Sequence, residues 1–128
     1  MSVVIRDAFR GTTPIGKGLF AAKALKRGEP IAAMNPAKVK RFTKKQWELY
    51  HPQKGLPHDA AIEIRSGAMI TDYLSRNGRP RWYRLNHSDN YNTEMHYEKF
   101  RIVWKTTRNI ARGEELTFKY GFGTEDFI

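Results

Sequence analysis

Arg112-Gly113-Glu114-Glu115-Leu116-Thr117-Phe118-Lys119-Tyr120-Gly121 is the stretch on which the reading of this chain turns. Arg112 to Glu115 is a polar turn with a glycine at its bend. From Leu116 the chain places Leu116, Phe118 and Tyr120 at alternate positions, the period of a strand with one buried face. Alone, such a segment begins a strand in any β protein, and a tyrosine at its end is ordinarily a core residue.

Upstream, Arg84-Leu85-Asn86-His87-Ser88 is bracketed by the basic run Arg76-Asn77-Gly78-Arg79-Pro80-Arg81 and by the polar turn Asp89-Asn90-Tyr91-Asn92, which together suit a functional loop. Phe100 to Trp104 alternates as a strand. Near the start, Val3-Val4-Ile5-Arg6 leads into Gly11-Thr12-Thr13-Pro14-Ile15-Gly16-Lys17-Gly18 and then Leu19-Phe20-Ala21-Ala22, which reads as strand, glycine loop, strand. Lys26-Arg27-Gly28-Glu29 is a turn before the strand Pro30 to Met34. Thr43 is placed to cap a helix over Lys44 to Tyr50, ended by His51-Pro52. Ala61 to Arg65 and Ala68 to Tyr73 read as further short strands. The pattern is mainly β with one helix, and it contains no repeat or linker.

The chain has 128 residues, enough for one domain with its own core. A hydrophobic fraction of 40% with Phe 7, Trp 3 and Tyr 6 is a globular composition. Trp47 and Trp104 are expected to be packing residues. Cysteine is absent, which excludes disulfides and thiolate zinc sites and fits a reducing interior. His51, His58 and His96 are too scattered to suggest a metal set. Neither a signal peptide nor a membrane span is visible, so a soluble, intracellular protein is expected. The formal charge of +10 favours encounters with polyanions. For the run Lys38-Val39-Lys40-Arg41-Phe42-Thr43-Lys44-Lys45 the readings are a phosphate-contacting patch, an import signal or, more commonly for such runs, a solvated helix face.

Ile15 to Ala22, Arg84 to Ser88 and Arg112 to Gly121, in this order, resemble the three signatures of the SET family of protein lysine methyltransferases, and the likeness spans roughly Val3 to Gly121. The chain looks like the minimal SET proteins of viruses and bacteria, which lack flanking zinc modules. The resemblance implies a single SET domain over residues 1–128, a mainly β fold (the β-clip) of several small sheets. It also implies a short helical insert at about residues 38–75 and a C-terminal pseudoknot, one of the few exceptions to unthreaded topology. Two departures stand out: Asp89-Asn90-Tyr91-Asn92 keeps only the final Asn of the family's motif, and Tyr83 occupies a position where relatives often carry Arg.

The same resemblance implies S-adenosylmethionine as cofactor. The main chain of Ile15, Gly16, Lys17, Gly18 and Leu19 would cradle its methionine portion, with Tyr83, Asn86 and His87 completing the set. Tyr120 takes the place of the catalytic tyrosine, Phe118 the product-specificity position of the substrate channel, and Phe122 that of a lid over it. Phe at 118 leaves room for di- or trimethylation. The implied partner is a protein presenting a lysine, a histone tail or another basic protein, and nucleosomal DNA contact and a homodimer are both open. A histone substrate would place the protein in a nucleus, its own or a host's, and another substrate in the cytoplasm. The rival reading is a non-catalytic SET fold serving as a basic module for nucleic acid or chromatin.

Overall fold

The computed structural model describes residues 2–64, 66–75, 78–98 and 101–119. In chain order the elements are β1 (Val3–Arg10), β2 (Thr13–Ala21), β3 (Pro30–Ala33), β4 (Lys40–Phe42), α1 (Lys44–Gln53), β5 (Ile62–Glu63) and β6 (Met69–Thr71). A 3-10 turn (Arg81–Arg84) follows, then β7 (Asn86–His87), β8 (Thr93–Glu98), β9 (Arg101–Thr106) and β10 (Glu115–Phe118). They form small sheets with strand orders β1-β2-β10-β7, β3-β9-β8 and β4-β6-β5. The mainly β architecture expected from the sequence is thus observed.

Several local readings are corrected. Residues 13–18 are not a loop: the connection is only Gly11-Thr12, because β1 supplies partners for the whole segment, down to Asp7 opposite Lys17 and Arg6 opposite Gly18. A bulge between Ala8 and Phe9 leaves Ile15 as the extra residue, and the neighbouring Gly16 adopts φ +102°, which glycine alone takes easily. The helix runs past His51-Pro52 to Gln53, since a proline in the last turn forfeits only one backbone bond. Ile102, Val103 and Trp104 are all buried instead of alternating, because β9 is the central strand of its sheet and is covered on both faces.

The segment 40–71 forms its own sheet and helix. Thr43 Oγ1 accepts from the Gln46 N–H at 3.0 Å and Gln46 Oε1 accepts from the Thr43 N–H at 2.9 Å, a capping box that satisfies two orphan donors. The helix is anchored through Trp47, buried and donating from Nε1 to the His58 carbonyl at 2.8 Å. His51 at the end of the helix and His58 beyond it meet edge to face at 5.3 Å.

The main core joins the other two sheets. Trp82 stacks on Trp104 (5.7 Å, 10°), and Trp104 meets Phe118 edge on (5.8 Å, 82°). Trp82 Nε1 donates to Asp72 Oδ1 at 2.7 Å, and Asp72 Oδ2 accepts from the Asn35 N–H at 2.6 Å. This relay fixes the 3-10 turn, and with it Tyr83 and the approach to Asn86.

Candidate active site

β10 lies between β2 and β7, antiparallel to the first (Glu115 opposite Phe20, Leu116 opposite Leu19) and parallel to the second (Thr117 opposite Asn86, Phe118 opposite His87). The loop after β7 is bound to it repeatedly. Ser88 N–H donates to the Phe118 carbonyl at 3.1 Å, Thr93 Oγ1 to the Thr117 carbonyl at 2.8 Å, and Asn92 Nδ2 to the Glu115 carbonyl at 2.9 Å. The C-terminal strand is thereby held inside a collar made by residues 86–93 and the first hairpin.

Along β10 burial alternates, with Leu116 and Phe118 buried and Glu115 and Thr117 half-buried. Two distinct environments follow, one on each face of the strand.

On the Glu115 face, three elements converge on Gly18. Asn86 Nδ2 donates to the Lys17 carbonyl at 3.1 Å and to Glu115 Oε2 at 2.7 Å, joining residues 69 and 29 positions apart. A Cβ built at Gly18 would stand 2.5 Å from Glu115 Oε2 and 3.1 Å from Asn86 Nδ2, so a larger residue would displace the Glu115 carboxylate from its place beside Asn86. Both amide protons of Asn86 are committed, which leaves Oδ1 as an acceptor with no partner among the described residues. Glu115 adds a second acceptor. A half-buried pair of oxygens beside exposed main chain suits the ammonium of an amino acid, so the residues present fit the methionine end of S-adenosylmethionine. His87 is partly exposed on the same strand as Asn86, with Nε2 3.5 Å from Asp89 Oδ1.

On the Phe118 face is a cavity of about 70 Å³ lined by Asp59, Ala61, Ile62, Trp82, Tyr83, Leu85 and Phe118. Tyr83 donates its hydroxyl to Asp59 Oδ1 at 2.8 Å and meets Tyr73 edge to face at 5.3 Å. Burial, then the bond to Asp59, raises its ionisation well above the ordinary tyrosine range, so it remains a neutral hydrogen-bond donor. Tyr73 in turn accepts from Arg79 Nε at 3.3 Å.

The structure thus brings Gly18, the Lys17 carbonyl and Asn86 together, and it places Tyr83 with Phe118 on the opposite face, away from the cofactor residues with which the sequence had grouped it. Ile15 and Gly16 lie further along β2, exposed. Tyr120 and Phe122 lie outside the described residues. Sequence reasoning missed Glu115 and Asp59. Glu115 stood inside the quoted motif as a mere turn residue, and Asp59, in a proline-containing loop, carries no local signal. A larger groove of about 740 Å³, lined by residues of β4, α1 and the β5–β6 turn, shares no residue with either environment. Among the described residues no group of three potential ligands is placed to hold a metal, and no helix is long and apolar enough to cross a membrane.

Comparison with known proteins agrees with this geometry. A family model described as SET domain matches residues 16–121. Nothing matches among curated protein sequences. Solved structures resemble the fold closely. An apo form of the ctPRC2 complex with two substitutions in Ezh2 matches at TM-score 0.66 and 21% identity, over 97% of this chain and 15% of that one. A ctPRC2 in an autoinhibited conformation bound to S-adenosylmethionine matches at 0.64 and 21%, over 96% and 15%. A humanized mutant of the Chaetomium thermophilum Polycomb Repressive Complex 2 bound to an inhibitor matches at 0.63 and 22%, over 95% and 15%. The chain therefore spans about 15% of the length of these structures' chains.

Proposed function

The chain belongs to the SET-domain family, and from that premise we propose that it is an S-adenosylmethionine-dependent methyltransferase acting on the ε-amine of a lysine presented by another protein. The observation that carries the reading is the division of labour across β10: a cradle of acceptor oxygens around Gly18, Asn86 and Glu115 on one face, and an aromatic cavity around Tyr83 and Phe118 on the other. A displacement at carbon needs donor and acceptor to approach from opposite sides, in line and at near-attack distance.

When bound, S-adenosylmethionine supplies a methyl group on a sulfonium. By the family motif the main chain from Ile15 to Leu19, with Asn86 Oδ1, would hold the amino-acid end, Glu115 would add negative charge toward its ammonium, and His87 would meet the adenine. Across the strand, Trp82, Tyr83 and Phe118 exclude water. A lysine amine, with an ordinary pKa of about 10.4, must be neutral to attack, and a dry aromatic wall disfavours its charged form. Asp59, an exposed residue at the same cavity, gives it a carboxylate that draws in the cationic chain before the amine reaches the aromatic wall. Tyr83 stays protonated and commits that proton to Asp59, so it fixes the carboxylate's orientation and does not serve as a base. By its place in the SET motif, Tyr120 is the group whose hydroxyl orients the amine.

Phe118 in place of a tyrosine leaves space for methyl groups already added, which supports di- or trimethylation. Histone tails and other DNA-associated basic proteins are the substrates that suit this reading, with the protein acting wherever they are found.

The test is transfer of radiolabelled methyl from S-adenosylmethionine to histones, nucleosomes and cell lysate, by the protein and by Tyr120→Phe. Label that the variant loses supports the enzyme and gives its target by size. No label, with no cofactor binding by calorimetry, overturns the reading in favour of a non-catalytic basic module.

A further inference from the structure

We propose that the groove between β4, the first turn of α1 and the β5–β6 turn is a docking surface for double-stranded DNA, engaged through its phosphate backbone. The inference goes beyond methyl transfer and stands whether or not the chain is an enzyme.

The groove holds about 740 Å³ and is lined by Arg41, Lys44 and Lys45 together with the polar groups of Thr43, Gln46 and Ser66. Lys40 opens β4 beside Arg41 and Lys38 lies just before it in sequence, and all five cations are exposed. Arg41 Nη2 donates to Ser66 Oγ at 3.4 Å, which ties the guanidinium to the groove. Elsewhere Lys17 pairs with Asp7, Lys105 with Glu98 and Arg108 with Glu114, while other exposed cations such as Arg6, Arg10 and Arg112 stand apart from one another along the chain, so what distinguishes the groove is the number of cations gathered in one run. In the groove only Lys44 is matched, by Glu63 at 3.0 Å, and Glu48 is the other acid on the adjoining elements. Lys38, Lys40 and Lys45 have no carboxylate within ion-pair distance among the described residues.

The placement also contradicts what folding alone would select. The positive end of a helix favours acidic residues, yet the first turn of α1 has none and carries Lys44 and Lys45 instead. The capping box already occupies two of the donors at the helix start, the Thr43 and Gln46 N–H groups. A concentration of like charge that opposes the helix dipole is explained by a partner that neutralises it. Duplex DNA presents about one negative charge per 1.7 Å of axis, a density matched to cations spread along a strand and a helix turn. No side chain here is arranged to read base edges, so the binding is backbone-directed and independent of sequence.

The experiment is fluorescence anisotropy of a labelled DNA duplex of random sequence, without cofactor, over a range of NaCl concentrations. Three proteins are compared: the wild type, Lys40→Glu/Arg41→Glu/Lys45→Glu, and a control, Arg6→Glu/Arg10→Glu/Arg112→Glu, that changes net charge equally on other exposed positions. Circular dichroism melts check that all three are folded. The proposal expects the groove variant to lose at least ten-fold in affinity at low salt. Its slope of log K against log salt should shrink by about 0.9 for each phosphate contact removed, while the control stays within about three-fold of wild type. Equal losses in both variants would mean that net charge, not the groove, drives binding. That result, or no duplex binding at low salt, overturns the proposal.

Discussion

Asn92 and Thr117 hold one another by both ends: Asn92 Oδ1 accepts from the Thr117 N–H at 2.8 Å, and the Thr117 carbonyl accepts from the Asn92 N–H at 3.3 Å. Asn92 is buried, and its Nδ2 spans to the Glu115 carbonyl as well. Removing this side chain leaves an unpaired buried donor and acceptor on β10. Asn92→Ala is therefore expected to cost about 2–4 kcal/mol, read as a lowered denaturation midpoint with unchanged slope. An effect below about 1 kcal/mol would show that the collar around β10 is held by its other bonds.

Gly18→Ala would drive a methyl group to 2.5 Å from the Glu115 carboxylate. The expected result is a stability loss of about 1–3 kcal/mol and at least a ten-fold drop in S-adenosylmethionine affinity by calorimetry. Gly28→Ala supplies the comparison. Its φ of +87° makes alanine strained, but nothing lies near, so it should lose about 1 kcal/mol of stability and none of the affinity.

Tyr83 carries a pH signature. Its phenol stays protonated in the folded state above the ordinary value of 10.0, owing first to burial and then to Asp59, whereas in the unfolded chain it ionises near that value. Below pH 10 the folded state keeps this contribution in full; as pH rises from 10 toward the raised value, the unfolded state alone releases a proton and stability falls. Denaturation at pH about 9 and about 11 should show the decline in wild type and a shallower one in Tyr83→Phe. Parallel declines would mean that other tyrosines dominate.

Phe118→Tyr places a hydroxyl in a cavity of about 70 Å³ beside Trp82 and Leu85. If the cavity receives the lysine, the products seen by mass spectrometry should shift toward monomethyl-lysine, with total turnover changed far less than by Tyr120→Phe. An unchanged product distribution would assign product control to other residues.

The outline of the fold was visible in the sequence because its signals are local. The capping residue Thr43, the apolar pair Ile31 and Ala32, and the alternation from Leu116 each declare their element within a few positions. β8 was not visible: Glu94, His96, Tyr97 and Glu98 are polar or exposed, and the strand exists because β9 pairs with it from Thr106 back to Arg101. The glycine density of residues 11–18 signals a loop, whereas the conformation of this segment is set by its pairing with β1. At the candidate site, Asn86 and Gly18 were identified through their motifs. Asp59 and Glu115 escaped notice because their roles come from partners distant in sequence, Tyr83 for one and Asn86 for the other. The family resemblance groups Tyr83 with Asn86, yet Tyr83, inside the 3-10 turn, meets Asp59 and Phe118 while Asn86 meets Lys17 and Glu115.

The pairing of Leu19 with Leu116 has a kinetic meaning. The cradle around Gly18 takes one wall from each end of the fold, so no fragment or early intermediate possesses it. Closing so long a loop is slow and entropically costly, and until it closes there is nothing for a cofactor to bind. Ligand occupancy should then retard amide exchange across β1, β2 and β10 together, because these strands neighbour one another at the cradle.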